Sequence, residues 1–179
     1  AQFIFGGTFS ASHSSFWIPL RKGLTFCGSF YVSLRRRGRG GTYDTDFAGE
    51  KWSSHGSKKA NAKLRAAELY GLNLVAGSGE IGFSLDPDSI HYGSNSSFQA
   101  LNIAILTGGN PIILVGFNMQ GVRNRRHFFG DHPAGLRNTA DYRNFAQYYE
   151  RAAKRLPADI TILNATPDSA LTCFPRINL

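Results

Sequence analysis

The sequence predicts an α/β domain of three layers, a mostly parallel sheet with helices on both faces. Two observations lead there. Short apolar runs rich in β-branched and aromatic residues alternate with longer stretches whose apolar residues recur at three- and four-residue steps. Several of the short runs also stop at glycine or a small polar residue, as buried strands do where they give way to loop. A chain of 179 residues is long enough to bury a core without metal or disulfide, so a single domain over 1–179 is expected.

Five runs read as strands: Gln2 to Phe5, Leu24 to Cys27, Leu72 to Val75, Ile112 to Phe117 and Ile160 to Leu163. A helix is predicted over Ser57 to Tyr70, with Ala60, Leu64 and Ala67 on one face, a cationic outer face, and Gly71 as its stop. A second should start at Ser96 or Ser97 and reach Leu106, with Phe98, Leu101 and Ile105 inward, before Gly108-Gly109-Asn110-Pro111 breaks it. The clearest pattern runs from Thr139 to Leu156, where Tyr142, Phe145, Tyr149, Ala152 and Leu156 share a face. Thr139 is the expected N-cap there, with Asp141 in the first turn. No internal repeat is present, and the one biased segment, Arg35-Arg36-Arg37-Gly38-Arg39-Gly40-Gly41, reads as loop.

Composition narrows the class. Hydrophobic residues at 42% and aromatics at 13% exclude a predominantly disordered chain. Only Cys27 and Cys173 occur, the former in an apolar run, so no disulfide framework is expected and a reducing cytoplasm is the expected location. No apolar stretch reaches the ~18 residues of a membrane span, and no secretory leader pattern opens the sequence. The formal charge of +8, with a pI near 9.8, favours a polyanionic partner, with nucleic acid first among candidates.

In open α/β sheets ligands bind beyond the carboxyl ends of the strands, and four segments there are unusually polar. After the first strand, Gly6 and Gly7 allow close backbone approach to a ligand, and hydroxyls such as Ser10 can donate to phosphate or a base edge; an ordinary glycine turn explains the glycines equally well. Asp44 and Asp46 alternate, so an extended segment would turn both to one side, to activate water, to bind a metal, or simply to pair with the preceding arginines. Ser94, Asn95, Ser96 and Gln99 open a helix, where free amides favour an anion and the two side-chain amides suit a nucleobase edge; a well-capped helix without ligand is the plain alternative. The last segment leads from Asn118 through Arg123, Arg125 and Arg126 to His127, Asp131 and His132, where a histidine beside an acid can move a proton near neutral pH. His127, Asp131 and His132 lack the helical spacing of zinc proteases and have no cysteine nearby, so neither metal nor cofactor is expected.

Two resemblances rest on these residues. The glycine turn at Gly6, Gly93-Ser94-Asn95-Ser96-Ser97, Ile113-Leu114-Val115-Gly116-Phe117-Asn118-Met119, His127-Phe128-Phe129-Gly130-Asp131-His132-Pro133, Asn164-Ala165-Thr166-Pro167 and Ser169-Ala170-Leu171 together resemble a family of small phage-encoded proteins of the norphogenetic type. That family is related to a domain including pterin pyrophosphokinases and flagellin-modifying glycosyltransferases, which implies a Rossmann-like fold and a nucleotide-like ligand. The sequence departs from the pattern at Asn118, where an aspartate is usual, and at Thr8, where the glycine-rich turn usually continues, which weakens metal-assisted sugar transfer. Separately, His132-Pro133-Ala134-Gly135-Leu136 before a long helix is similar to the end of the uracil-DNA glycosylase superfamily, especially its mismatch-specific branch. The comparable loop there wedges into DNA and contacts the anionic base. The Asn-Pro-Gly pattern usual after that superfamily's first strand is absent here.

The expected function is therefore a DNA glycosylase that hydrolyses the N-glycosidic bond of an extruded base. Arg35, Arg36, Arg37, Arg39, Lys58, Lys59, Arg123, Arg125 and Arg126 would neutralise phosphates. Asp44 or Asp46 would align water, and His132 or His127, with Asp131 beside them, would stabilise the departing base. The alternatives are a nucleotide-sugar-dependent glycosyltransferase and a non-catalytic nucleic-acid-binding module using Trp52, Tyr92 and Phe129 as stacking platforms.

Overall fold

The computed structural model describes residues 3–6, 31–32, 51–55, 72–121 and 141–179, and among them it forms seven short strands and two helices. In chain order they are β1 (Phe3–Gly6), β2 (Tyr31–Val32), β3 (Lys51–His55), β4 (Leu72–Ser78), β5 (Ser89–His91), α1 (Ser96–Leu106), β6 (Ile112–Val115), α2 (Tyr142–Ala153) and β7 (Ile162–Asn164). All pairings are parallel, in two sheets ordered β1-β6-β7 and β2-β3-β4-β5. Parallel neighbours need a crossover between them, and among the described residues a helix stands in that place before β6 and before β7. The class is α/β, with short parallel strands.

β6 shows why its residues form a central strand. Ile112, Ile113 and Leu114 are all buried rather than alternating, as expected where a parallel strand is covered on both faces. One apolar cluster then takes Val75 and Ile90 from one sheet, Ile112, Leu114 and Ile162 from the other, and Phe98, Leu101, Ala104 and Ile105 from α1. Tyr149 and Ala152 of α2 close it.

α1 begins and ends where local chemistry dictates. The Asn95 side chain accepts from the Phe98 amide at 2.9 Å and caps the first turn. At the other end Gly108, at φ 81°, lets its own amide reach the Ile105 carbonyl and the Gly109 amide reach that of Ala104, a Schellman stop. The expected inward face is present, yet every residue from Ser97 to Ile105 is buried, Asn102 and Gln99 included. α1 is thus an interior helix, where one apolar stripe was expected.

Other boundaries move for identifiable reasons. α2 is capped by Asp141, whose carboxylate accepts from the Asn144 amide at 3.0 Å, and not by Thr139, which lies outside the described residues. It stops at Ala153 rather than Leu156, because Leu156 precedes Pro157 and a residue before proline is driven out of the helical region. β4 continues past Val75 because Ala76, Gly77 and Ser78 pair through their backbones with Ser89, Ile90 and His91. β6 ends before Phe117 because Gly116 turns the chain at φ 80°. β7 starts at Ile162 because the Ile160 amide closes a turn onto the Pro157 carbonyl at 3.1 Å. The strand expected over Leu24 to Cys27 and the helix expected over Ser57 to Tyr70 lie outside the described residues, while β2, β3 and β5 were not expected. Among the described residues no helix is long and apolar enough to cross a membrane.

Candidate functional site at the carboxyl ends of the strands

The register of the first sheet sets the place of the site. Gly6 stands opposite Val115, and Leu114 opposite Asn164, so β1, β6 and β7 release their chains side by side at one edge. The turn after β6 is held there almost atom by atom. The Phe117 amide donates to Thr166 Oγ1 at 2.9 Å, the Phe117 carbonyl accepts from Ser169 Oγ at 2.5 Å, and the Asn118 carbonyl accepts from the Ala170 amide at 2.8 Å. Gln120 Nε2 donates to the Asp168 carbonyl, closing the same two loops further out.

Asn164, 1% exposed at the end of β7, organises the opposing loop. Its Oδ1 accepts from the Thr166 amide, its Nδ2 donates to the Leu171 carbonyl, and its backbone receives the carboxyl-terminal segment through Pro175 and Ile177. That segment shields the open edge of β7, which would otherwise offer unpaired backbone to another chain.

The loop after β5 joins this rim through Tyr149. The ring is fully buried and meets Phe98, Phe117 and Phe174 edge-on at centroid separations of 5.1, 6.3 and 6.4 Å. Its hydroxyl donates to Asn95 Oδ1 at 3.2 Å, and burial pushes its ionisation well above the ordinary tyrosine range. The three non-glycine residues with left-handed backbone among the described residues, Ser94 (φ 60°), Met119 (φ 50°) and Asp168 (φ 53°), fall in the loops after β5, β6 and β7. Such conformations cost of order 1 kcal/mol or more each and persist where surrounding structure enforces them.

The residues singled out from the sequence have different environments. Gly6 ends β1. Ser94 is exposed on its left-handed turn, and Ser96 is half-buried. Asn118 is half-buried on a clamped backbone, and its side-chain amide has no hydrogen-bond partner among the described residues. Asn95 and Gln99 turn inward instead of outward. Asn95 spends its amide on Phe98, Ser97, Tyr149 and the Gly93 carbonyl, while Gln99 accepts from Ser54 Oγ of β3 at 2.9 Å and donates to the Tyr92 carbonyl. Tyr92 and Trp52 are half-buried; the Tyr92 ring lies over Gly77, where a Cβ would meet it at 2.2 Å. Gly7, Ser10, Arg35, Arg36, Arg37, Arg39, Asp44, Asp46, Lys58, Lys59, Arg123, Arg125, Arg126, His127, Phe129, Asp131 and His132 lie outside the described residues. Among the described residues no group of three or more His, Cys, Asp or Glu is arranged to hold a metal ion.

Sequence reasoning missed Asn102, Thr166, Ser169 and Arg176. The signal for Asn102 was present: Asn95, Gln99 and Asn102 recur at four and three residues, an amide stripe along one side of α1. The other three depend on contacts between loops distant in sequence.

Charge is distributed unevenly along the chain. The described residues hold six Lys and Arg against seven Asp and Glu, with no Lys or Arg between Leu72 and Gly121, whereas the whole chain holds 20 against 12. The basic excess therefore lies outside the described residues, and three of its clusters start close behind strand ends in sequence. Arg35 is three residues after Val32 of β2, Lys58 three after His55 of β3, and Arg123 two after Gly121 in the turn that follows β6. No family model matches the chain, and no curated protein or solved structure does.

Proposed function

We propose that this chain is a Rossmann-like, three-layer domain that binds a nucleotide-type anion beyond the carboxyl ends of its strands and hydrolyses the N-glycosidic bond of a base extruded from DNA. The observation that carries the reading is the charge of the chain, 20 Lys and Arg against 12 Asp and Glu, with basic clusters that follow β2, β3 and β6 in sequence, since α/β sheets bind their ligands beyond the strand ends. A single diphosphate needs only a few cationic donors, whereas a nucleic-acid backbone uses many.

In the reaction the C1′–N bond breaks, a water oxygen bonds to C1′, and the base leaves with the proton that neutralises it. Asp44 or Asp46 orients that water and offsets positive charge on the sugar, and His132 or His127, paired with Asp131, stabilises the departing base. Asn118 and Ser94, in the loops after β6 and β5, would border the bound base.

The test is incubation of the protein with normal and base-modified DNA, followed by scoring of alkali-labile abasic sites. Base release is expected, and the Asp→Asn change at the catalytic position of the pair should slow single turnover by on the order of a hundredfold with DNA affinity unchanged. Neutralising Arg35, Arg36 and Arg37 together should flatten the dependence of affinity on salt. Binding without base release would reduce the protein to a nucleic-acid-binding module. Base release at the parental rate by both Asp variants and their double would move the acid to Asp131.

A second reading is nucleotide-sugar transfer, supported by the resemblance to the phage family; Asn118, after the central strand of its sheet where that family usually has an aspartate, counts against a metal-assisted route. Hydrolysis or transfer of sugar from a nucleotide sugar, with no action on DNA, would select it.

A further inference from the structure

Arg176 was not singled out by sequence, and it has the means to contact a ligand at this rim. A parallel bridge sets it beside Asn164, the last residue of β7, with the Asn164 amide donating to the Pro175 carbonyl at 2.8 Å and the Ile177 amide to the Asn164 carbonyl at 3.0 Å. The side chain is exposed, and its Nη2 donates to the Ser169 carbonyl. The amide of the same peptide unit, on Ala170, donates to the Asn118 carbonyl. One peptide plane therefore links the two residues and keeps the guanidinium within about 8 Å of the Asn118 backbone.

The remaining described cations lie elsewhere in the fold. Arg143 and Arg151 belong to α2, Lys154 and Arg155 to the turn after it, with Arg155 donating to the Ile81 carbonyl, and Lys51 opens β3. Among the described residues the Arg176 guanidinium has no carboxylate partner. Its planar fork carries five N–H donors, most of them left over after the Ser169 contact, and that geometry suits a phosphate better than a point charge does. Across the same peptide unit, Asn118 offers both a donor and an acceptor.

We propose that Arg176 contacts a phosphate of the bound nucleotide while Asn118 hydrogen-bonds a neighbouring part of the same ligand. The proposal rests on the nucleotide-ligand reading above. The shared chemistry is a nucleotide phosphate ester, supplied by a DNA strand or by a free nucleotide diphosphate.

Binding is measured with two probes, a short fluorescent single-stranded DNA and UDP, for the parent, Arg176→Ala, Arg176→Lys and Asn118→Ala, each as a function of salt and with the unfolding midpoint recorded. Arg176→Ala should weaken the bound probe by about tenfold or more and reduce the DNA salt slope by roughly 0.7, the share of one phosphate contact on a single strand. Arg176→Lys should restore the slope without the full affinity, since the charge returns but the fork does not. Asn118→Ala should weaken binding and leave the slope alone. An Arg176→Ala loss seen with DNA only or with UDP only supports the proposal and identifies the source of the phosphate. A parent that binds neither probe overturns the nucleotide reading and this proposal together. A parent that binds, with an Arg176→Ala variant of equal affinity and slope, overturns this proposal alone. So does a variant whose affinity loss comes with an unchanged slope and a lowered unfolding midpoint, because the side chain then only braces the Ser169 loop.

Discussion

Replacing Asn102 by alanine is expected to destabilise the fold by about 4 kcal/mol, although the residue is polar and lies far from the proposed chemistry in role. Asn102 is completely buried in the middle of α1. Its Oδ1 accepts from the Ser84 amide at 2.9 Å and the His91 amide at 3.0 Å, and its Nδ2 donates to the Ser84 carbonyl at 2.8 Å. One side chain thus satisfies three backbone groups of the segment that leads into and through β5. Alanine leaves all three without a partner in a site water does not reach, and each such group costs ~1–3 kcal/mol, more than a typical hydrogen bond contributes when formed. At the ~2–4 °C per kcal/mol usual for chains of this size, the unfolding midpoint should fall by about 10 °C. Asn102→Asp should do no better, because the lost donor strands the Ser84 carbonyl and the carboxylate brings an unpaired charge into the interior. Equilibrium denaturation with matched slopes for parent and variants decides the matter. A loss below about 1 kcal/mol for Asn102→Ala would mean that Ser84 and His91 find other partners.

That amide also marks the limit of what was legible in the sequence. The start and stop of α1 were legible because caps are local: Asn95 and Gly108 act within a few residues of themselves. The complete burial of α1 was not, since Gln99 and Asn102 look solvated until the partners 45 and 18 residues away are known. β6 was legible as a run of aliphatic residues, whereas β3 and β5 present one apolar side chain each, Trp52 and Ile90, and exist because their backbones pair with a neighbouring strand. Asn118 could be nominated from its position after a strand, and Ser94 from its place at the opening of a helix. Arg176 could not, because only the return of the carboxyl-terminal segment to β7 brings it to the rim. The acids and histidines assigned to catalysis lie outside the described residues, so chemistry alone nominates them.

The second large effect is expected at Tyr149, which ties the loop after β5 to the loop after β6. Truncation to alanine removes a fully buried ring from contact with Phe98, Phe117 and Phe174, and losses of this kind run to ~3–5 kcal/mol when the surroundings cannot collapse into the space. Tyr149→Phe keeps the ring and removes only the hydroxyl bond to Asn95, whose Oδ1 retains the Phe98 amide and the Ser97 hydroxyl, so its cost near neutral pH should be about 1 kcal/mol or less.

Alkali separates the two contributions. Burial raises the Tyr149 hydroxyl above its ordinary value of 10.0, so below pH 10 the group is neutral in both folded and unfolded chains and costs nothing. Above pH 10 the unfolded chain releases this proton while the folded chain keeps it, and stability should fall by about 1.4 kcal/mol for each further pH unit. Cys173, pushed up to about 11 from 9.0 mainly by burial, begins the same kind of decline at lower pH, in the window from 9 to 11, and its partial exposure makes the effect smaller. In a Cys173→Ala background the parent should therefore lose stability steeply above pH 10. The Tyr149→Phe variant, less stable at pH 7, should lose stability more slowly there and overtake it within about one pH unit. Parallel declines for the two proteins between pH 10 and 11 would show that Tyr149 reaches solvent before the fold opens, and the ring would then not hold the loops after β5 and β6 together.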